Sequence, residues 1–471
     1  MKHQPEMASL PRDEQARLGK AARKRVPRHS HADLRPSADR DPVGLLERQA
    51  RTRVADLVPV RYGRMLASPF SYFRGAALPM AADLATTPAT GFTVQACGDA
   101  HLSNFGLFAS PERRLLFDVN DFDETLPGPW EWDVKRLAAS LEIAARENGV
   151  GRRQRRAIVA SAVARYREAI TMFAGMSSLD TWYSAADVSG LRDVIDSRLT
   201  KRQRRVWDRS TAKARASDSM KALSKLTTMV EGKPRIAADP PLIVPAEDLF
   251  DVAEESPEVI AGVLSRVLGR YRRTLETDRR RLLDRYRFSH MARKVVGVGS
   301  VGTRCWIVLM LDPTDSSPLF LQVKEAQPSV LSDYAQATTF RNEGQRVVAG
   351  QRLMQAASDI FLGWDRVAAD VDGEPRDYYV RQLRDWKFSL DMGALRPEGL
   401  ELYGQACGWT LARAHAKSGQ PSAIAGYLGS SPVFDEAVAD FAAGYADLME
   451  GDYRALASAT ASGRVEALTG V

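Results

Sequence analysis

Gly297-Val298-Gly299-Ser300-Val301-Gly302 is followed by Cys305-Trp306-Ile307-Val308-Leu309-Met310 and, after a polar turn, by Leu319-Phe320-Leu321-Gln322-Val323-Lys324. What comes behind the glycines decides how they are read. A dinucleotide-binding fingerprint needs a helix to start straight after its last glycine. The run at 305–310 is instead apolar and rich in aromatic and β-branched side chains, which favour a strand. The stretch therefore reads as strand, glycine loop, strand, turn at 312–318, and a further strand ending on Lys324. A helix over 331–356 and two strands, 361–367 and 377–383, joined by an Asp372-Gly373 turn, complete a small β-rich unit.

Outward from this unit the texture is helical. Helical periodicity dominates 132–287, with a loop at 231–244, and returns from residue 398 onward. Residues 43–85 also read as helix, interrupted at Ser68-Pro69. Between them lie short strands at 92–97, 104–108 and 114–119, the last two joined by Ser110-Pro111-Glu112-Arg113. Residues 1–40 are basic and polar with no apolar run, and read as a disordered leader rather than an export signal. The expected organisation is α+β: a helical lobe over 41–290, a β-rich lobe over 291–390, and C-terminal helices over 391–471 that complete the first lobe.

A chain of 471 residues is too long for one ordinary core, which agrees with two lobes. No stretch approaches the ~18 apolar residues of a membrane span. Cys97, Cys305 and Cys407 are far apart in apolar surroundings, so they read as core fillers and not as a disulfide or zinc framework. With no export signal, a cytoplasmic protein is expected. The net charge of +7 invites a nucleic-acid reading. However, the basic clusters at 152–156, 201–205 and 270–281 sit in helical stretches with apolar residues interleaved, as solvated helix faces do. An anionic substrate such as a nucleotide suits the charge equally well.

Two constellations carry chemistry. The first is Gly98-Asp99-Ala100-His101-Leu102-Ser103-Asn104, followed by Leu116-Phe117-Asp118-Val119-Asn120-Asp121-Phe122-Asp123-Glu124. An Asp, an Asn five residues on and a hairpin ending in acids supply what phosphoryl transfer needs. One carboxylate orients or deprotonates a hydroxyl, while an amide oxygen and a second carboxylate hold Mg²⁺ against phosphates. The second is the glycine loop with Lys324 and Glu343. Glycines let a backbone approach phosphate, the lysine would pair with α/β-phosphates, and a glutamate on the next helix would hold the lysine in place.

Gly98 to Asn104 resembles the catalytic loop of the aminoglycoside/choline-kinase branch of protein-kinase-like enzymes, with Cys97 in place of a leading His. The resemblance implies Asp99 as catalytic base, with His101 beside it, and Asn104 as a metal ligand. Asp121 is the expected second ligand, with Asp118 and Asp123 as alternatives. Asp133, in Trp132-Asp133-Val134-Lys135-Arg136-Leu137, would brace the loop from below. In the other lobe, Gly297, Gly299, Ser300, Gly302, Lys324 and Glu343 would meet the nucleotide phosphates, and the strand carrying Arg381, Gln382 and Leu383 would meet the adenine. His415, in a helix resembling the one before the catalytic loop of that branch, is expected to be structural. Arg61, Arg64 and Arg74 are candidates for phosphate or substrate contact.

In kinase-like proteins the glycine loop comes first, so the expected fold is a circularly permuted, two-lobed kinase-like one. From residue 41 on, the chain is also similar to the bacterial domain-of-unknown-function 2252 family, through Leu57 to Met65, Ser68-Pro69-Phe70, Phe73-Arg74-Gly75, Gly98 to Gly106, Asn120 to Glu124 and Gly128 to Asp133. The expected activity is phosphoryl transfer from Mg-ATP to a hydroxyl on an unidentified small-molecule or protein acceptor. AMP transfer from a flipped ATP, and a non-catalytic nucleotide- or nucleic-acid-binding scaffold, are the alternatives.

Overall fold

The leader holds a helix, α1 (Arg12–Ala22), and docks on the C-terminal part of the chain. This corrects the expectation of disorder over 1–40 for the residues from 9 onward. A Cβ on Gly19 would stand 2.0 Å from the carbonyl oxygen of Ala423, and one on Gly426 would stand 2.3 Å from that of Ala16. Facing glycines thus bring two helices backbone to backbone. The leader's arginines are also spent on structure. Arg23 donates to the carbonyls of Tyr427 and Gly426, and Arg28 to that of Leu428, at the C-terminal end of a helix where backbone oxygens lack partners. Arg40 clamps Asp83 at 2.7 Å and also Asp452. The computed structural model describes residues 9–188, 201–216, 219–249, 268–368, 373–383, 386 and 390–471.

Four short helices follow: α2 (Pro42–Ala50), α3 (Val58–Met65), α4 (Pro69–Gly75) and α5 (Ala77–Leu84). Ser68 caps α4 by accepting from the Ser71 N–H at 3.1 Å, and Pro69 fits the first turn, where no amide donor is needed. Then come β1 (Thr93–Ala96), β2 (Phe105–Ala109), β3 (Leu115–Val119) and β4 (Leu126–Pro129). β1 pairs antiparallel with β4, and β2 with β3. Helix α6 (Trp130–Glu147) is buried at every position from Trp130 to Ala145, charged residues included. Glu131, Asp133, Lys135, Arg136 and Glu142 therefore lie inside the protein, and inside a protein such groups need partners. Helices α7 (Arg152–Gly175), α8 (Ser178–Tyr183), α9 (Lys201–Arg215) and α10 (Ser219–Leu226) continue the chain.

The loop expected at 231–244 is interrupted by strand at 233–236 and 243–244. β5 (Thr227–Val230) and β6 (Lys233–Ile236) form a hairpin whose turn, Glu231-Gly232, has φ of +49° and +74°. Two positive φ values in a two-residue turn match the strand twist. β7 (Ile243–Pro245) joins the large sheet, which it enters ahead of α11 (Thr277–Leu283), β8 (Arg287–Lys294), β9 (Cys305–Leu311) and β10 (Pro318–Ala326). α12 (Glu343–Met354), β11 (Gly363–Val367) and β12 (Arg376–Gln382) complete this lobe. The six strands run in the order β7-β8-β9-β10-β12-β11, all antiparallel. The lobe thus starts well before residue 291. Its helix begins at Glu343 rather than 331, because the preceding chain is tied to the helical lobe. Ser329 Oγ donates to the Glu124 carbonyl and the Val330 N–H to the Glu124 carboxylate, both at 2.7 Å. The turn expected at Asp372 lies outside the described residues.

Helices α13 (Pro397–Ser418), α14 (Pro421–Leu428) and α15 (Val433–Ala461) end the chain, α13 packing on α7 and α15 on α6. The chain is mixed α+β, with both sheet faces covered. Tyr271, Leu275 and Leu283 pack on one face against Val308, Leu319 and Leu321. Ala222 and Leu226 of α10 pack on the other against Ile307, Leu309 and Phe320. The core of the helical lobe extends into the sheet lobe through Val347, Val348 and Tyr379. No helix among the described residues is long and apolar enough to cross a membrane.

Candidate active site

The loop between β1 and β2 is shaped by Asp133 in the first turn of α6. Its carboxylate accepts the N–H of Cys97 at 2.6 Å and that of Gly98 at 2.9 Å. His415 Nε2 lies 3.2 Å from the same carboxylate, and its Nδ1 is 2.8 Å from the Tyr166 hydroxyl. Asp133, His415 and Tyr166 are all buried, so they form a sealed support below the loop. Gly98 has φ +82°, and a Cβ on it would lie 2.2 Å from the Glu124 carbonyl oxygen. Only glycine fits there.

This support presents Asp99 toward the lobe interface. Arg136, one turn along α6 from Asp133, grips one Asp99 oxygen with Nε at 2.8 Å and Nη2 at 2.7 Å. His101 Nε2 stands 3.6 Å from the other oxygen. Burial pushes the His101 pKa down to about 3, against the pull of Asp99, so the imidazole beside Asp99 is neutral. Asn104 spends its amide nitrogen on the Asp99 carbonyl at 2.7 Å, which leaves its amide oxygen as the group that can meet a cation. Sequence reasoning placed Asp133 but overlooked Arg136. The available signal was its i,i+3 spacing from Asp133, which puts both on one helix face.

Behind β3 the acids divide. Asp118 is inward-facing: both of its oxygens take Arg413 Nη2 at 2.7 Å, and one takes the Ala356 N–H at 2.8 Å. The Asp118 and Arg413 side chains are each 1% exposed, so Asp118 is core and not the alternative metal ligand the sequence allowed. Asp121 and Asp123 lie past the strand end, with side chains 31% and 27% exposed.

Lys324 reaches these two acids from the other lobe. Its Nζ lies 2.6 Å from Asp123 Oδ2 and 3.8 Å from Asp121 Oδ2. Burial alone would depress its pKa, but the two carboxylates outweigh burial and hold it well above the usual lysine value. Asp123 also accepts from the hydroxyls of Tyr379 at 2.5 Å and Ser300 at 3.3 Å. Sequence reasoning put Tyr379 only in the strand expected to meet the adenine, not beside Asp123. The antiparallel register pairs Tyr379 directly with Lys324, but register is not visible before the strands are paired.

Glu343 does not hold Lys324. It stands at the first position of α12, where its carboxylate pairs with Arg346 and its N–H donates to Asp377 at 2.8 Å. The late start of the helix leaves it at the terminus rather than on a face turned to the lysine. Arg346 ties α12 to the acidic segment instead, donating to the carbonyls of Thr125 at 2.6 Å and Asp123 at 2.9 Å.

The glycine loop lies between β8 and β9, as expected, and rests on the helical lobe. The Gly297 carbonyl accepts from Arg64 at 2.7 Å, and that of Gly302 from the Val54 N–H at 2.8 Å. A Cβ on Gly299 would come within 3.2 Å of the Arg74 carbonyl oxygen, and one on Gly302 within 3.0 Å of Arg53 Cβ. These glycines therefore serve close packing between lobes. On β12, Arg381 bonds Gln322 and the Asn120 carbonyl, both at 3.0 Å, and so spans the lobes as well. The N–H of Gln382 is taken by Asp359 and that of Leu383 by the Phe320 carbonyl, so neither is offered to a base as the hinge expectation required. The void beside Gly98, Asp133 and Arg136 is only ≈ 10 Å³. Among the described residues no three His, Cys, Asp or Glu side chains are gathered for a metal ion.

Fold and site together define a mixed α+β chain in which an acid cluster meets a lysine and a glycine loop. The chain belongs to the family described as an uncharacterized protein conserved in bacteria (DUF2252), whose model it matches over residues 53–459. No curated protein and no solved structure matches it.

Proposed function

We propose that this protein is an ATP-dependent phosphotransferase with a circularly permuted, kinase-like arrangement of lobes. The observation that carries the reading is the Lys324–Asp123 contact at 2.6 Å. It joins two constellations that lie far apart in the chain and were each singled out for phosphate chemistry. The order from β8 to β12 supports it: strand, glycine loop, strand, lysine-bearing strand, helix, strand, strand, as in a kinase nucleotide lobe.

Asp99 orients the acceptor hydroxyl and takes its proton as the hydroxyl oxygen bonds to the γ-phosphorus. The bond from that phosphorus to the β–γ bridging oxygen breaks, and ADP leaves. Lys324 exchanges its carboxylate partners for nucleotide phosphate. Asp121 and the free oxygen of Asn104 fit a magnesium ion, which takes few protein ligands and completes its shell with phosphate and water. Such an ion would neutralise phosphate charge. Nucleotide entry requires the glycine loop to lift from α4 and Arg381 to swing from Asn120.

Thermal unfolding with and without Mg-ATP, beside the double variant Asp121→Ala/Lys324→Ala, tests the reading. Ligand at about 100 times its dissociation constant adds roughly 2.7 kcal/mol of stability. A shift in the wild type that disappears in the variant is expected. No shift with any nucleotide would remove the proposal.

A further inference from the structure

The last turn of α4 places Arg74 at the seam between the lobes. Its backbone lies against the tip of the glycine loop, at the 3.2 Å approach to Gly299. Its side chain is close enough to Asp99, Arg64 and His101 for their charges to act on one another. Yet its Nε is buried without a hydrogen-bond partner, and its guanidinium enters no ion pair among the described residues. Each neighbouring arginine has a partner for at least one guanidinium nitrogen: Arg136 on Asp99 at 2.7 Å, Arg64 on the Gly297 carbonyl at 2.7 Å, and Arg53, whose Nε is also buried without a partner, on that of Val301.

Burial with no compensating partner pulls the Arg74 pKa below its ordinary value, despite the nearby Asp99. Holding such a group is unfavourable in the absence of a ligand. Its planar fork of donors matches the oxygens of a phosphate.

We propose that Arg74 receives the terminal phosphate of a bound nucleoside triphosphate, so that the site distinguishes triphosphate from diphosphate. The inference rests on the phosphotransferase reading. Transfer to a hydroxyl held at Asp99 needs the terminal phosphate between Asp99 and the glycine loop, and Arg74 borders that space. A phosphate carried by the acceptor has the same chemistry, and leaving the acceptor out of the experiment separates the two sources.

The experiment is calorimetric titration of the full chain with Mg-ATP and with Mg-ADP, for the wild type, Arg74→Ala and Arg74→Met. A charge-assisted contact to the extra phosphate gives the wild type an ATP preference of about 10- to 100-fold. In both variants the two affinities converge to within about twofold while ADP affinity is kept. The apo variants melt no lower than the wild type, since Arg74 has no hydrogen-bond or ion-pair partner to lose among the described residues. A preference that survives in the variants assigns the phosphate to another residue and overturns the proposal. So does an equal loss of ADP binding, or an apo variant that melts well below the wild type. A wild type that binds both nucleotides equally overturns the role of Arg74 alone, whereas one that binds neither overturns the phosphotransferase reading beneath it.

Discussion

The floor of the site and its roof are held by different kinds of contact. The floor, built on β3, α6 and α13, is closed by pairs within one lobe: Asp118 with Arg413, Asp133 with His415 and two backbone amides, and Asp99 with Arg136. The roof, built on the glycine loop, β10 and β12, touches the floor through groups that phosphate could also satisfy. These are Lys324 and Ser300 on Asp123, and Arg64 on the Gly297 carbonyl. A buried floor closed by its own pairs needs no ligand to keep its shape. The roof's contacts are exchangeable, so a ligand competes for them, whereas Val347 and Tyr379 in the shared core and the Gly302 bond to Val54 hold the roof independently of it.

The floor's chemistry and its packing meet at Asp99, where the largest effect is expected. Asp99→Asn keeps the shape but removes the proton acceptor, so ATP turnover should fall roughly 10² to 10⁴-fold. Mg-ATP binding, measured by thermal shift, should be preserved. Wild-type turnover in this variant would mean that the loop only resembles a catalytic one. Next in size is the structural pair. Arg413→Met leaves Asp118 buried with its charge uncompensated, a loss worth about 3–5 kcal/mol. Denaturant unfolding should show it whether or not nucleotide is present.

Legibility in the sequence followed the same division. Local signals were readable: the strands around the glycine loop, the Asp99–Asn104 spacing and the brace at Asp133 all depend on neighbours in the chain. What was missed depends on tertiary pairing. Glu343 looked like the partner of Lys324, but the carboxylate that reaches the lysine comes from Asp123, 201 positions away. Asp118 and Asp121 looked interchangeable as ligands, and only the burial of β3 separates them. The basic leader read as disordered because nothing local shows that Arg23 and Arg28 meet the end of α14.

Glu124 gives a smaller effect with a defined pH window. Burial, together with Asp123 and Asp99, pushes its pKa from 4.5 up to about 7, although the Val330 N–H and Arg346 pull the other way. Between those values the unfolded chain has lost the proton while the folded one keeps it. The folded state is therefore favoured less and less as pH rises from about 4.5 to about 7, and the cost is complete above that. Glu124→Gln mimics the protonated form and should stabilise by about 1–3 kcal/mol at pH 8, with no gain at pH 4. Melting curves that run parallel over this whole range would show that Glu124 is ionised without cost.

The smallest effect on stability belongs to Asp121, and it sharpens the contrast with Asp118 in the same segment. Asp121 is about one-third exposed and lies 3.8 Å from Lys324, whose nearer partner is Asp123. Losing its charge leaves Lys324 paired, so Asp121→Asn should change apo stability by less than about 1 kcal/mol. The same substitution removes a carboxylate oxygen that magnesium would take, so the Mg-ATP thermal shift should collapse. A variant that is destabilised as strongly as Arg413→Met would place Asp121 in the floor, as a packing acid rather than a ligand-binding one. A variant with normal stability and a normal nucleotide shift would instead pass the metal role to Asp123, which would first have to release Lys324.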